Sequence, residues 1–119
     1  AYGAKQEGGI TLGILPGTLR EEVNLWIDIA VVSGMGHARN ALIAQSSDAL
    51  IAVSGEYGTL SEIALGLKMG KPVVMVEPGW EIEGVHRAKS PEEAVELALR
   101  LIEVDGKTEK SARDKFEKA

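Results

Sequence analysis

The sequence predicts an α/β fold: a parallel sheet flanked by helices. Three observations carry that prediction. Short apolar runs rich in β-formers alternate with segments of helical period, the pattern of βα units rather than hairpins. Val73-Val74-Met75-Val76 is continuously apolar, as a strand buried on both faces must be. The stretch from Ala49 to Gly70 reads as a strand, a glycine-rich turn and a helix.

The elements follow in order. Ala1 to Glu7 resembles the last turns of a helix, stopped by Gly8-Gly9. Ile10 to Leu15 is the first strand, turned by Pro16-Gly17. A polar connection over Thr18 to Asn24 leads to a second β-rich run, Leu25 to Val32, and then to the turn Ser33-Gly34-Met35-Gly36. His37 to Ser47 is a helix with Ala38, Ala41, Leu42 and Ala44 for packing. Ala49 to Val53 is the central strand, and the helix after it packs through Leu60, Ile63, Ala64 and Leu67 and stops at Gly70. Lys71-Pro72 opens the Val73–Val76 strand, Pro78-Gly79-Trp80 is a loop, and a short strand is expected over Gly84 to Arg87. Ser90-Pro91-Glu92-Glu93 starts a last helix, with an N-cap, proline at N1 and glutamate at N3. Its packed side is Ala94, Leu97, Ala98, Leu101 and Ile102, and Asp105-Gly106 is expected to end it. Residues 1–104 thus read as a single domain, and 105–119 as a charged tail, a frayed helix or a disordered segment.

Composition narrows the function. The chain has 119 residues, 45% hydrophobic and 26% charged, with a formal net charge of −5. No basic block stands out before the tail, which argues against binding along a nucleic-acid backbone. With no cysteine there is no disulfide, thiol nucleophile or thiolate metal site. No apolar run approaches the roughly 20 residues of a membrane span, and the first residues lack a signal-peptide layout. The expectation is a cytoplasmic protein.

The chemistry centres on Ser54-Gly55-Glu56-Tyr57-Gly58-Thr59-Leu60-Ser61-Glu62. A glycine turn between strand and helix aims backbone N–H groups and a positive helix end at an anion. It is neither G-x-G-x-x-G nor a P-loop, which would end in Lys-Ser/Thr. Thr59-Leu60-Ser61-Glu62 also reads as a capping box, with Thr59 as N-cap and Glu62 reaching back from N3. Both roles suit a carboxylate at a helix start. In a parallel sheet, ligands sit beyond the carboxyl ends of strands. Pro16-Gly17, Gly34 to Gly36, Gly55 to Gly58 and Pro78 to Trp80 all fall there.

This central stretch resembles the Pro-Gly-Gly-x-Gly-Thr-x-x-Glu signature of the LOG-type phosphoribohydrolases, long labelled lysine decarboxylase-like. His37-Ala38-Arg39-Asn40 falls where that family has an Arg-Lys pair at a helix start. Together with Gly34-Met35-Gly36, the motifs are most similar to a small Rossmann-like branch of unassigned function, related to molybdenum cofactor carrier proteins. The similarity spans Gly3 to Ile102. It implies a Rossmann-like nucleotide-binding domain over 1–104, with the family's N-terminal strands missing and the sheet position beside Ala49–Val53 empty or filled by another chain. It also implies a homodimer or higher homo-oligomer.

Residue by residue, the resemblance makes Glu62 and Arg39 catalytic in hydrolysing the N-glycosidic bond of a nucleoside 5′-monophosphate, yielding free base and ribose 5-phosphate. Such a reaction has an oxocarbenium-like transition state that a carboxylate stabilises. Gly55, Gly58 and Thr59 match the phosphate-binding turn. Ser54, Gly36, His37, Asn40, Pro16 and Gly17 complete the candidate nucleotide-binding set. On residue type alone, Arg39 is equally a helix-surface cation or a partner of Glu62, and His37 is a polar loop residue. Asn40 replaces the family's lysine, and Ser54 and Glu56 replace its proline and second glycine; Glu56 would repel an anion unless it points away. The alternative is therefore a non-catalytic nucleotide or molybdenum-cofactor-type carrier. No metal site or required cofactor is expected, only a bound nucleotide or pterin-type ligand. A distant similarity to the DNA-processing protein A, which binds single-stranded DNA, is opposed by the acidic balance and only five aromatic residues, two Trp, two Tyr and one Phe.

Overall fold

The computed structural model describes residues 1–20, 23–53, 57–77 and 81–117, with backbone alone from 105 onward. The chain divides into two compact units, Ala1–Ile43 and Ala44–Ala119. Among the described residues every strand pairing is parallel, as the strand–helix alternation requires.

In the first unit, α1 (Tyr2–Gln6) precedes β1 (Leu12–Leu15), which pairs with β2 (Ile29–Val32) in the register Leu12↔Ile29 to Leu15↔Val32. The Gly8 N–H donates to the Lys5 carbonyl at 3.1 Å and the Gly9 N–H to the Ala4 carbonyl at 2.8 Å, so α1 ends in a Schellman motif. Its side chains hold it to the strand entry. Lys5 Nζ donates to both Asp28 carboxylate oxygens at 2.9 and 3.0 Å, and the Tyr2 and Trp26 rings lie 4.7 Å apart at 56°. Asp28 Oδ2 also accepts from the Thr11 backbone N–H at 2.8 Å. The buried Thr11 hydroxyl donates to the Trp26 carbonyl at 2.5 Å and accepts from the Asp28 N–H at 2.8 Å. The ammonium of Lys5, then the Thr11 amide, hold the Asp28 carboxyl below its ordinary value.

The second strand is shorter than the apolar run Leu25–Val32 suggested. Asn24 Oδ1 accepts from the Trp26 N–H at 2.9 Å, an Asx turn that curls Leu25-Trp26 away from extended backbone before Ile29.

The second unit holds β3 (Leu50–Ala52), α3 (Tyr57–Lys68), β4 (Val73–Val76), β5 (His86–Ala88) and α4 (Pro91–Glu117). Its strands lie in the order β3-β4-β5. Alternation along β4 divides the core in two. Val73 and Met75 pack with Ala52 and Ile63 of α3, beside Leu50 and Leu67. Val74 packs with Ala88, Ala94 and Ala98, beside Leu97 and Leu101 of α4. Helices thus cover both faces of this sheet, and burying Val73, Val74 and Met75 stabilises by roughly 1.5–3 kcal/mol each.

Gly66 lets α3 approach closely: a Cβ there would stand 2.2 Å from Leu50 Cδ1 and 3.1 Å from Val73 Cγ2. Gly70 ends the helix as expected. Its φ of +73° suits glycine. Its N–H donates to the Leu67 carbonyl at 3.1 Å, and that of Lys71 to Gly66 at 2.9 Å.

In this unit, α3 and α4 depart from expectation. α4 does not end at Asp105-Gly106 but continues to Glu117. One interior glycine costs about 1 kcal/mol, and the Lys-, Glu- and Ala-rich segment after it favours helix. At its start, the Glu93 N–H donates to Ser90 Oγ at 3.1 Å, while Glu93 Oε2 accepts from the Lys89 N–H at 3.2 Å. α3 begins at Tyr57, so Thr59 lies inside the first turn and not at the N-cap position expected for it. The helical period alone does not distinguish the two starts. Among the described residues, no helix is long and apolar enough to cross a membrane.

Candidate functional site

In the first unit, the loops that leave β1 and β2 are tied to each other. The Ser33 N–H and Ser33 Oγ both donate to the Leu15 carbonyl, at 3.2 and 2.5 Å. The Gly34 N–H donates to the Gly17 carbonyl at 2.9 Å, and the Gly36 N–H to the Pro16 carbonyl at 2.8 Å. Gly34 and Gly36 sit at φ of +63° and +55°, the left-handed turn that this pairing needs. Pro16, Gly17 and Gly36 are thus brought together, but the Gly36 amide is committed to the protein's own backbone. An anion at this end would be met by other groups.

A 3₁₀ turn over Gly36–Ala38 carries the exposed His37 and leads into α2 (Arg39–Ser46), which starts later than the helix expected from His37. Arg39 is half-buried, and its Nη1 donates to the Ile14 carbonyl at 2.6 Å. The carbonyls of Thr11 and Leu15 accept from β2 and its continuation, so strand alternation turns the Ile14 carbonyl to the opposite edge of β1. The guanidinium reaches that edge and satisfies one acceptor there, leaving its planar fork anchored at one corner. Asn40 is 4% exposed and is not free, as a buried amide should be.

In the second unit, α3 starts just beyond the carboxyl end of β3, where parallel sheets place ligands. Gly58 and Thr59 occupy its first turn and are half-buried. Thr59 and Glu62, three apart, share one face of the helix, and Glu62 is half-buried too. The first turn carries no acidic side chain, so its partial positive charge, about half a unit, is not offset by a carboxylate of that turn. Ser54 and Gly55, the other two candidate residues of this turn, lie outside the described residues.

Ser33 was missed as a site-shaping residue. Its signal was a serine directly after a strand and two residues before Met35, whose N–H donates to Ser33 Oγ at 3.2 Å in a serine turn.

The parallel strands flanked by helices, with glycine-rich turns at their carboxyl ends, define a Rossmann-like α/β protein. Residues 1–107 match the model of the SLOG cluster4 family, and the chain belongs to that family. An uncharacterised protein of Archaeoglobus fulgidus is 48% identical over 99 residues, covering 83% of this chain. This chain spans 65% of the length of that relative. The molybdenum cofactor binding protein of Rippkaea orientalis is similar in structure, with a TM-score of 0.75 and 40% identity over 84% of this chain and 67% of its own. The molybdenum cofactor carrier protein of Chlamydomonas reinhardtii is similar at a TM-score of 0.71 and 34% identity, over 87% of this chain and 68% of its own.

Proposed function

We propose that the chain is a non-catalytic binding or carrier protein for a phosphorylated small molecule of the molybdenum cofactor type, which it holds as cargo. The observation that carries this reading is its likeness to two molybdenum cofactor binding and carrier proteins, at 40% and 34% identity. The chemistry of α3 supports it. A phosphate at a helix N-terminus gains hydrogen bonds from backbone N–H groups and about 0.3–1 kcal/mol from the helix dipole. Within the same unit, Thr59 adds a hydroxyl to the first turn of that helix.

The test is retention of molybdenum. The protein is incubated with molybdenum cofactor released from a donor enzyme, separated from the small molecules, and its molybdenum is counted by mass spectrometry. The parent is expected to retain molybdenum and Thr59→Ala to retain several-fold less. A parent that retains none would overturn the reading.

A second reading, a nucleotide N-glycosidase, is favoured by one observation: Glu62 lies on the Thr59 face of α3, where the LOG-type signature has its catalytic glutamate. It separates from the first at that residue. Under hydrolysis, Glu62→Gln abolishes release of free base from a panel of nucleoside 5′-monophosphates. Under carriage, no member of the panel releases base, and the substitution leaves molybdenum retention nearly unchanged.

A further inference from the structure

We draw no further inference here: the strongest candidate, the apolar face that the exposed Leu12, Ile29 and Val31 make on the β1–β2 sheet, carries nothing because nothing in the structure shows what covers it.

Discussion

Replacing Arg39 with alanine tests whether this side chain is a scaffold tie as well as a candidate ligand contact. The bond from Nη1 to the Ile14 carbonyl, at 2.6 Å, is charge-assisted and short. Such bonds contribute about 1.5–3 kcal/mol when the acceptor is cut off from water. Ile14 and Arg39 are both only half-buried, so water can replace part of the lost donor, and the expected cost falls to about 1–2 kcal/mol. With a urea slope on the order of 1–2 kcal/mol per molar, the midpoint should fall by roughly 0.5–2 M at unchanged slope. Circular dichroism and tryptophan fluorescence would follow the transition without ligand. Arg39→Lys should recover only part of the loss, because a single ammonium on a flexible stem lacks the planar fork. An Arg39→Ala midpoint equal to the parent's would refute the argument. It would mean that the guanidinium does not tie α2 to the edge of β1, leaving ligand binding as its role.

Three further outcomes are expected. Gly66→Val puts a branched side chain where even a Cβ meets Leu50 and Val73; overpacking of about 1–3 kcal/mol should dominate and lower the urea midpoint. Ser90→Ala removes the acceptor for the Glu93 N–H and should cost about 0.5–2 kcal/mol of α4 stability, read as lost helical signal at intermediate urea. The Asp28 carboxyl is held below its unfolded value of 3.8 by Lys5 and Thr11. Its stabilisation is therefore complete above the unfolded value and fades as pH falls through the lower folded value. The midpoint gap between parent and Asp28→Asn should accordingly narrow on acidification below about pH 4, and a gap that stays constant would remove Asp28 from the acid response.

Much of the fold was legible because local chemistry and burial agree in it. Val73–Val76 is apolar at every position and is a strand covered on both faces. Ser90, Pro91 and Glu93 announced α4, and Gly70 closed α3 with the geometry that only its missing side chain makes easy. The errors fall where two local preferences compete. Asn24 bent an apolar run that composition alone reads as strand. Gly106 reads as a stop although its neighbours propagate helix. Thr59 could cap or continue α3, and periodicity could not choose. In the candidate site, the motif located α3 and Arg39 correctly on their elements. It could not show that Arg39 bonds to Ile14 or that the Gly36 amide is engaged, because both depend on partners more than a dozen residues away.

That engagement bears on how this end of the protein can change over evolution. Since the Gly34 and Gly36 amides close on Gly17 and Pro16, the loop geometry is secured by main chain and survives replacement of the side chains around it. Met35 and His37 are exposed on that frame, free to be exchanged at little cost to stability. Side chains can therefore vary at these positions while the frame stays still, much as variable loops diversify on a rigid scaffold.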